Sequence, residues 1–137
     1  MTITPKPGKT VCQSTSTIIG ETSVKAELCV SQGNFSHDNY FLKIDGKTLI
    51  KGIDDETTNG ISSAYNNQQI NLKCVPQEVK PNATPEEIQK IMPNTPVEKT
   101  RSYAELMKNS SLSMEVGRLC TAVADNKQFI EVQVIFE

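Results

Sequence analysis

At 137 residues the chain has material for one domain, and with 36% hydrophobic residues and no Trp its core must be lean. Fourteen Lys and Arg against sixteen Asp and Glu leave a net charge of −2, which gives no basic footprint for nucleic acid. No window holds the ~18 apolar residues of a spanning helix, and the 24 Ser and Thr and 10 Asn suit a secreted β-protein stiffened by crosslinks.

Residues 1–9, with Pro5, Pro7 and Gly8, are expected to be a loose lead-in to a single domain spanning 1–137. They carry no apolar leader, so export requires that a signal peptide has already been removed. The first hairpin lies between Thr10 and Ser31. Both halves alternate, and Gly20-Glu21 supplies a two-residue turn of the Gly-X type. Counting outward from the closing pair Ile19/Thr22 brings Cys12 opposite Cys29. That position is non-hydrogen-bonded, and there Cα atoms approach to about 4.5 Å, within reach of a disulfide. Val24, Ala26, Leu28 and Val30 share one face. The cysteines share the other with Ser14, Ser16, Lys25 and Glu27, so their bridge should staple the sheet rather than fill a core.

A loop from Gln32 to Asp38 leads to a second hairpin, 39–45 and 47–53, around Asp45-Gly46. Closed on Ile44/Lys47, it pairs Leu42 with Leu49 and Phe41 with Ile50, which predicts a strand pair covered on both sides. Residues 54–59 read as a polar loop and 69–75 as a further strand. Prolines gather between Pro76 and Pro96, with two helix starts among them. Thr84-Pro85-Glu86-Glu87 offers an N-cap, a first-position proline and a capping-box Glu, and Thr95-Pro96-Val97-Glu98 repeats the pattern. The second helix should present Val97, Tyr103, Leu106 and Met107 as its apolar stripe. The last hairpin, 112–124 and 128–136, turns at Asp125-Asn126-Lys127. Its final strand alternates most cleanly: Ile130, Val132, Val134 and Phe136 inward, Glu131, Gln133 and Glu137 outward. Pairing Cys12 with Cys29 leaves Cys74 for Cys120. The expected fold is α+β: a mainly antiparallel β-sheet of about seven strands in three hairpins, with a two-helix insertion at about 84–108 and two disulfides.

The chemistry is sparse. Four partnered cysteines leave no nucleophilic thiol, and one His without any Cys-x-x-Cys makes no zinc set. His37 stands beside Asp38, yet no Gly-x-Ser-x-Gly elbow supplies a serine. Asp55, Thr57, Asn59 and Gly60 echo the first half of a calcium loop, but Asn66 stands where a bidentate Glu belongs. Neither a metal nor a cofactor is therefore expected. Sequons at Asn34, Asn82 and Asn109 are no more than chance gives in so Asn- and hydroxyl-rich a chain. What remains is a rigid frame presenting loops. The expectation is an exported protein, periplasmic or secreted, with no catalytic residues. It would bind another protein as an inhibitor or an immunity protein, neutralising an envelope-attacking toxin or enzyme. His37, Asp38, Asp54, Asp55 and Glu56 are the expected contact residues, at opposite ends of the second hairpin's strands or close to them. Two alternatives stay open: a small secreted hydrolase using His37 with Asp38 or Asp55, and a pilus-like structural β-domain completed by a neighbour's strand.

Overall fold

The computed structural model describes residues 1–33 and 37–136; the Asn34 sequon and Glu137 lie outside them. In chain order the elements are β1 (Thr2–Ile3), β2 (Thr10–Ile19), β3 (Thr22–Ser31), β4 (Asn39–Ile44), β5 (Lys47–Ile53), α1 (Asp54–Asn59), β6 (Ile61–Tyr65), β7 (Gln68–Val79), α2 (Pro85–Ile91), α3 (Val97–Leu106), β8 (Met114–Ala124) and β9 (Lys127–Ile135). They build two sheets, β2-β3-β4-β5 and β1-β9-β8-β7-β6. The main core lies where the two meet, with Leu28, Tyr40, Leu42 and Ile50 from the smaller sheet and Ile70, Leu72, Val132 and Val134 from the larger. The α+β class and both disulfides are as expected. No helix is long and apolar enough to cross a membrane.

Two short strands raise the count. Thr2 and Ile3 pair in parallel with Gln133 and Val134 of β9, and Ile3 is buried. The first residues are therefore an edge strand rather than a loose lead-in. Ile61–Tyr65 forms a fourth hairpin with β7 through Asn66-Asn67, both in the left-handed region (φ 48° and 62°) that Asn tolerates.

The first hairpin has the expected register, with Cys12 opposite Cys29 and Cα atoms 4.0 Å apart. Cys74 and Cys120 face each other between β7 and β8 in the same way. Their settings differ: Cys74 and Cys120 belong to the main core, whereas the first bridge lies across the sheet's other face. The second hairpin departs from expectation. A bulge after Lys43/Thr48 pairs Leu42 with Ile50 and Phe41 with Lys51. The extra residue brings Leu42 and Ile50 to the core together and leaves Phe41 under the Lys51 ammonium, 5.5 Å from its ring. Only one face of this pair is covered by the partner sheet.

Strand β7 also runs past the predicted end, through Pro76 to Val79. The short Cα distance at Cys74/Cys120 marks a non-hydrogen-bonded pair, and Pro76 has the same parity. Its missing N–H would point away from β8, on the side where β6 has already ended, so no ladder bond is lost.

Helices α2 and α3 cover the outer face of the larger sheet. Val79, Ile88, Met92, Tyr103, Met107, Val116 and Ile135 form a second core there. Thr84 caps α2 in a capping box with Glu87, as predicted. Thr95 does not cap α3: Pro96 is the N-cap, and Thr95 is buried with its hydroxyl 3.5 Å from Gln133 Nε2. The stripe of α3 is rotated from expectation, with Thr100, Tyr103 and Met107 buried and Val97 and Leu106 exposed. Gln133 is 1% exposed, not outward, because the helices close over it. Its amide donates to Gln77 Oε1 at 3.3 Å and accepts from Asn94 N at 3.3 Å, so the buried side chain is satisfied. Gly117 of β8 permits the close approach of neighbouring β9, since any Cβ there would overlap the Val134 carbonyl oxygen, and it would also crowd Met92 beyond α2.

Candidate functional site

The predicted site residues meet at the open end of the second hairpin. Asn39 pairs with Ile53, so the segment before β4 and the segment after β5 leave the sheet at the same end, not at opposite ends. His37 Nδ1 accordingly lies 3.1 Å from Asp54 Oδ1, with Asp38 alongside.

Residues 54–59 are a helical turn rather than a loop. Asp54, Asp55 and Glu56 occupy the first turn, where the exposed N–H groups favour negative charge. Glu56 Oε1 accepts from Ile53 N at 3.0 Å, which commits that carboxylate to the helix start. Asp55 is exposed. The Thr57 of the calcium-like pattern is fully buried, its hydroxyl hydrogen-bonding to the carbonyls of Ile53 and Asp54.

Beneath these acids lies Arg118 of β8, 4% exposed, which the sequence reading did not single out. Beyond Leu72 strand β7 has no β6 partner, so the Cys74 carbonyl faces an unpaired edge that α1 covers. The guanidinium supplies the missing donors: Nη2 to Cys74 O at 2.7 Å, Nε to the same oxygen at 3.2 Å, and Nη2 to Asp54 O at 2.9 Å and to the Thr58 hydroxyl. Nη1 points at Glu115 Oε1, 3.4 Å away, and the guanidinium carbon lies 5.7 Å from the Tyr40 ring centroid. The arginine thus pins α1 to the larger sheet and stacks on the smaller one. A clue was present. Arg118 shares the inward register of Cys120 and Ala122, and a lone Arg in such a row implies buried acceptors.

One buried cation faces several acids here. Burial raises the Asp38 carboxyl above its ordinary value. The Gly33 amide opposes this by hydrogen bonding, Asp54 adds to the rise, and Arg118 and His37 pull it down. Burial likewise raises Glu115 against the pull of Arg118. Burial chiefly, with Arg118 opposing and the three acids assisting, pushes the Tyr40 phenol far up, so it stays neutral. A carboxyl raised on folding takes up its proton more readily in the folded state. Its cost is therefore present at neutral pH and is relieved as pH falls through the raised value. Asp38→Asn, which keeps an acceptor for Gly33, should match or exceed the parent in urea midpoint at pH 7. That advantage should shrink between pH 6 and pH 4, and an advantage that grew on acidification would contradict the assignment.

The arrangement presents carboxylates on a fixed base, with the one cation turned inward onto backbone. It suits a cationic group on a partner. Among the described residues, the group of three potential ligand atoms close enough to share a metal is Cys12, Glu27 and Cys29, whose sulfurs are already joined. Comparison of the chain with protein-family models, with curated proteins and with solved structures found no match.

Proposed function

We propose that the chain is an exported, non-catalytic binding protein that neutralises another protein through the acidic rim of Asp38, Asp54, Asp55 and Glu115, beside His37. Two disulfides fit an oxidising compartment outside the cytosol, and the inhibitor or immunity role extends that setting to a frame that, among the described residues, places no nucleophile beside its histidine. The carrying observation is the fixed imbalance of charge. Asp38, Asp54, Asp55 and Glu115 share one buried arginine, which also donates to the Cys74 and Asp54 carbonyls, so Arg118 offsets the four carboxylates only in part and the rim stays net negative. Oxidised protein used as bait in its native compartment should capture a basic partner. Titration of that partner against the triple variant D38N/D54N/D55N should show binding weakened by roughly a hundredfold, the scale of two or three lost charge contacts. Unchanged affinity with an unchanged circular dichroism spectrum would remove the rim from the interface.

One observation favours a second reading. The His37–Asp54 contact is the kind of imidazole–carboxylate pair a hydrolase uses, formed with Asp54 rather than Asp38 or Asp55. His37→Ala separates the two. The binding reading expects affinity for the partner to be largely retained, and no ester, peptide or glycoside turnover in either protein. Turnover present in the parent and lost in H37A would transfer the site to the hydrolase.

A further inference from the structure

Among the described residues, no strand pairs with the outer edge of the smaller sheet at β2. Free strand edges invite pairing with another chain, and folded proteins blunt them with shortness, lysines, prolines or bulges. Three edges here are blunted. β1 has two residues and β6 has five, while β5 carries Lys47 and Lys51 beside the Leu42/Lys43 bulge. β2 is different: it is ten residues long, has no charged residue, proline or register shift, and among the described residues ladders only to β3, with the Gln13 amide donating to Thr2 O of β1 at 3.0 Å through its side chain rather than the strand backbone. Solvent reaches it. Ser14, Ser16 and Ile18 are exposed, and Gln13, Thr15 and Thr17 on the inward-facing side are exposed or only half-buried. An open groove of about 540 Å³ runs between Ser16 and Ile18 of β2 and Gln128 and Phe129 of β9.

The cysteine pair fixes which backbone groups face outward. Its Cα separation of 4.0 Å identifies Cys12/Cys29 as non-hydrogen-bonded, so the amides and carbonyls of Cys12, Ser14, Ser16 and Ile18 point away from β3. We propose that this edge pairs with the same edge of a second copy, antiparallel about a two-fold axis through Thr15. The two four-stranded sheets would then become one continuous sheet. In that register Ser14 meets Ser16 of the other copy and Cys12 meets its Ile18, all through outward-facing groups. Lys9 of each copy reaches Glu21 of the other at both ends of the contact. Axes through Ser14 or Ser16 satisfy the ladder equally but leave those charges unmatched, so complementarity selects Thr15. The contact is isologous and closes at two copies.

Sedimentation equilibrium of the oxidised chain should show a monomer–dimer equilibrium. Thr15→Cys, on the axis, should yield a covalent dimer on mild oxidation with the native bridges intact, whereas Gln13→Cys should not. S14K/S16K sets lysine opposite lysine twice and should raise the dissociation constant roughly tenfold. S14K/S16E changes the same exposed positions but opposes unlike charges, and should restore dimerisation; this also shows that the first variant folds. A chain that remains monomeric up to about 1 mM, a dimer that Thr15→Cys fails to trap, or a dimer that both double variants leave alike would overturn the proposal.

Discussion

Arg118→Met is expected to destabilise the folded chain by about 3–5 kcal/mol, the range for deleting one partner of a buried charge cluster. The loss has two sources. The carbonyls of Cys74 and Asp54 lose donors in a place that α1 screens from water, and buried acceptors without donors cost about 1–3 kcal/mol. Asp38, Asp54 and Glu115 also lose the cation that offsets their mutual repulsion. This second part shrinks as Asp38 and Glu115, both raised by burial, take up protons, so the deficit measured by urea unfolding should be smaller at pH 4 than at pH 7. Arg118→Lys should recover only part of the loss, because an ammonium cannot serve Cys74 through two nitrogens while reaching Asp54 and Thr58. A midpoint unchanged in Arg118→Met would mean that α1 is held by other contacts.

The second large effect belongs to sulfur. Replacing Cys74 and Cys120 together by Ala should cost about 4 kcal/mol in the chain-entropy picture, against about 3 kcal/mol for Cys12 and Cys29, because the loops closed span 46 and 17 residues. Packing widens the gap. Cys74 and Cys120 are 0% and 1% exposed within the main core, so removing both sulfurs leaves a void there, whereas in the first bridge, outside that core, Cys29 is buried but Cys12 is only half-buried. Urea titrations of the two double variants at one pH decide the matter. A C12A/C29A protein less stable than C74A/C120A would show that the first hairpin depends on its crosslink more than loop length predicts.

How much of this was legible in the sequence follows the range of the forces involved. The Cys12–Cys29 register could be counted from the Gly20-Glu21 turn because hairpin pairing is local and rigid. The bulge in the second hairpin could not. It exists because Leu42 and Ile50 are drawn to the same core, and that core belongs to the opposite sheet. Strand β6 was hidden because Ile61-Ser62-Ser63-Ala64-Tyr65 has weak alternation and borrows its order from β7. The acids at 54–56 read as loop because charge suggests solvent. Their role at a helix start needs Glu56 to reach back to Ile53, and an Ile at the N-cap offers no hydroxyl to mark the capping box in the sequence. Of the residues named from the sequence, His37, Asp38 and Asp54 converge in space, while Glu56 serves its own helix. Arg118 was missed because its partners, Cys74 and Asp54, are 44 and 64 residues away. Gln133 was misplaced for a related reason: alternation shows which side of a strand faces the partner sheet but not whether helices cover the other side.

Both sulfur bridges join next-door strands within one sheet, β2 to β3 and β7 to β8. Neither clamps one sheet to the other. The oxidised chain therefore keeps a seam whose closure depends on side-chain contact and on the short links between elements. Oxidation makes each sheet hard to unravel from within, while, beyond those links, the two layers are held to each other by noncovalent packing alone.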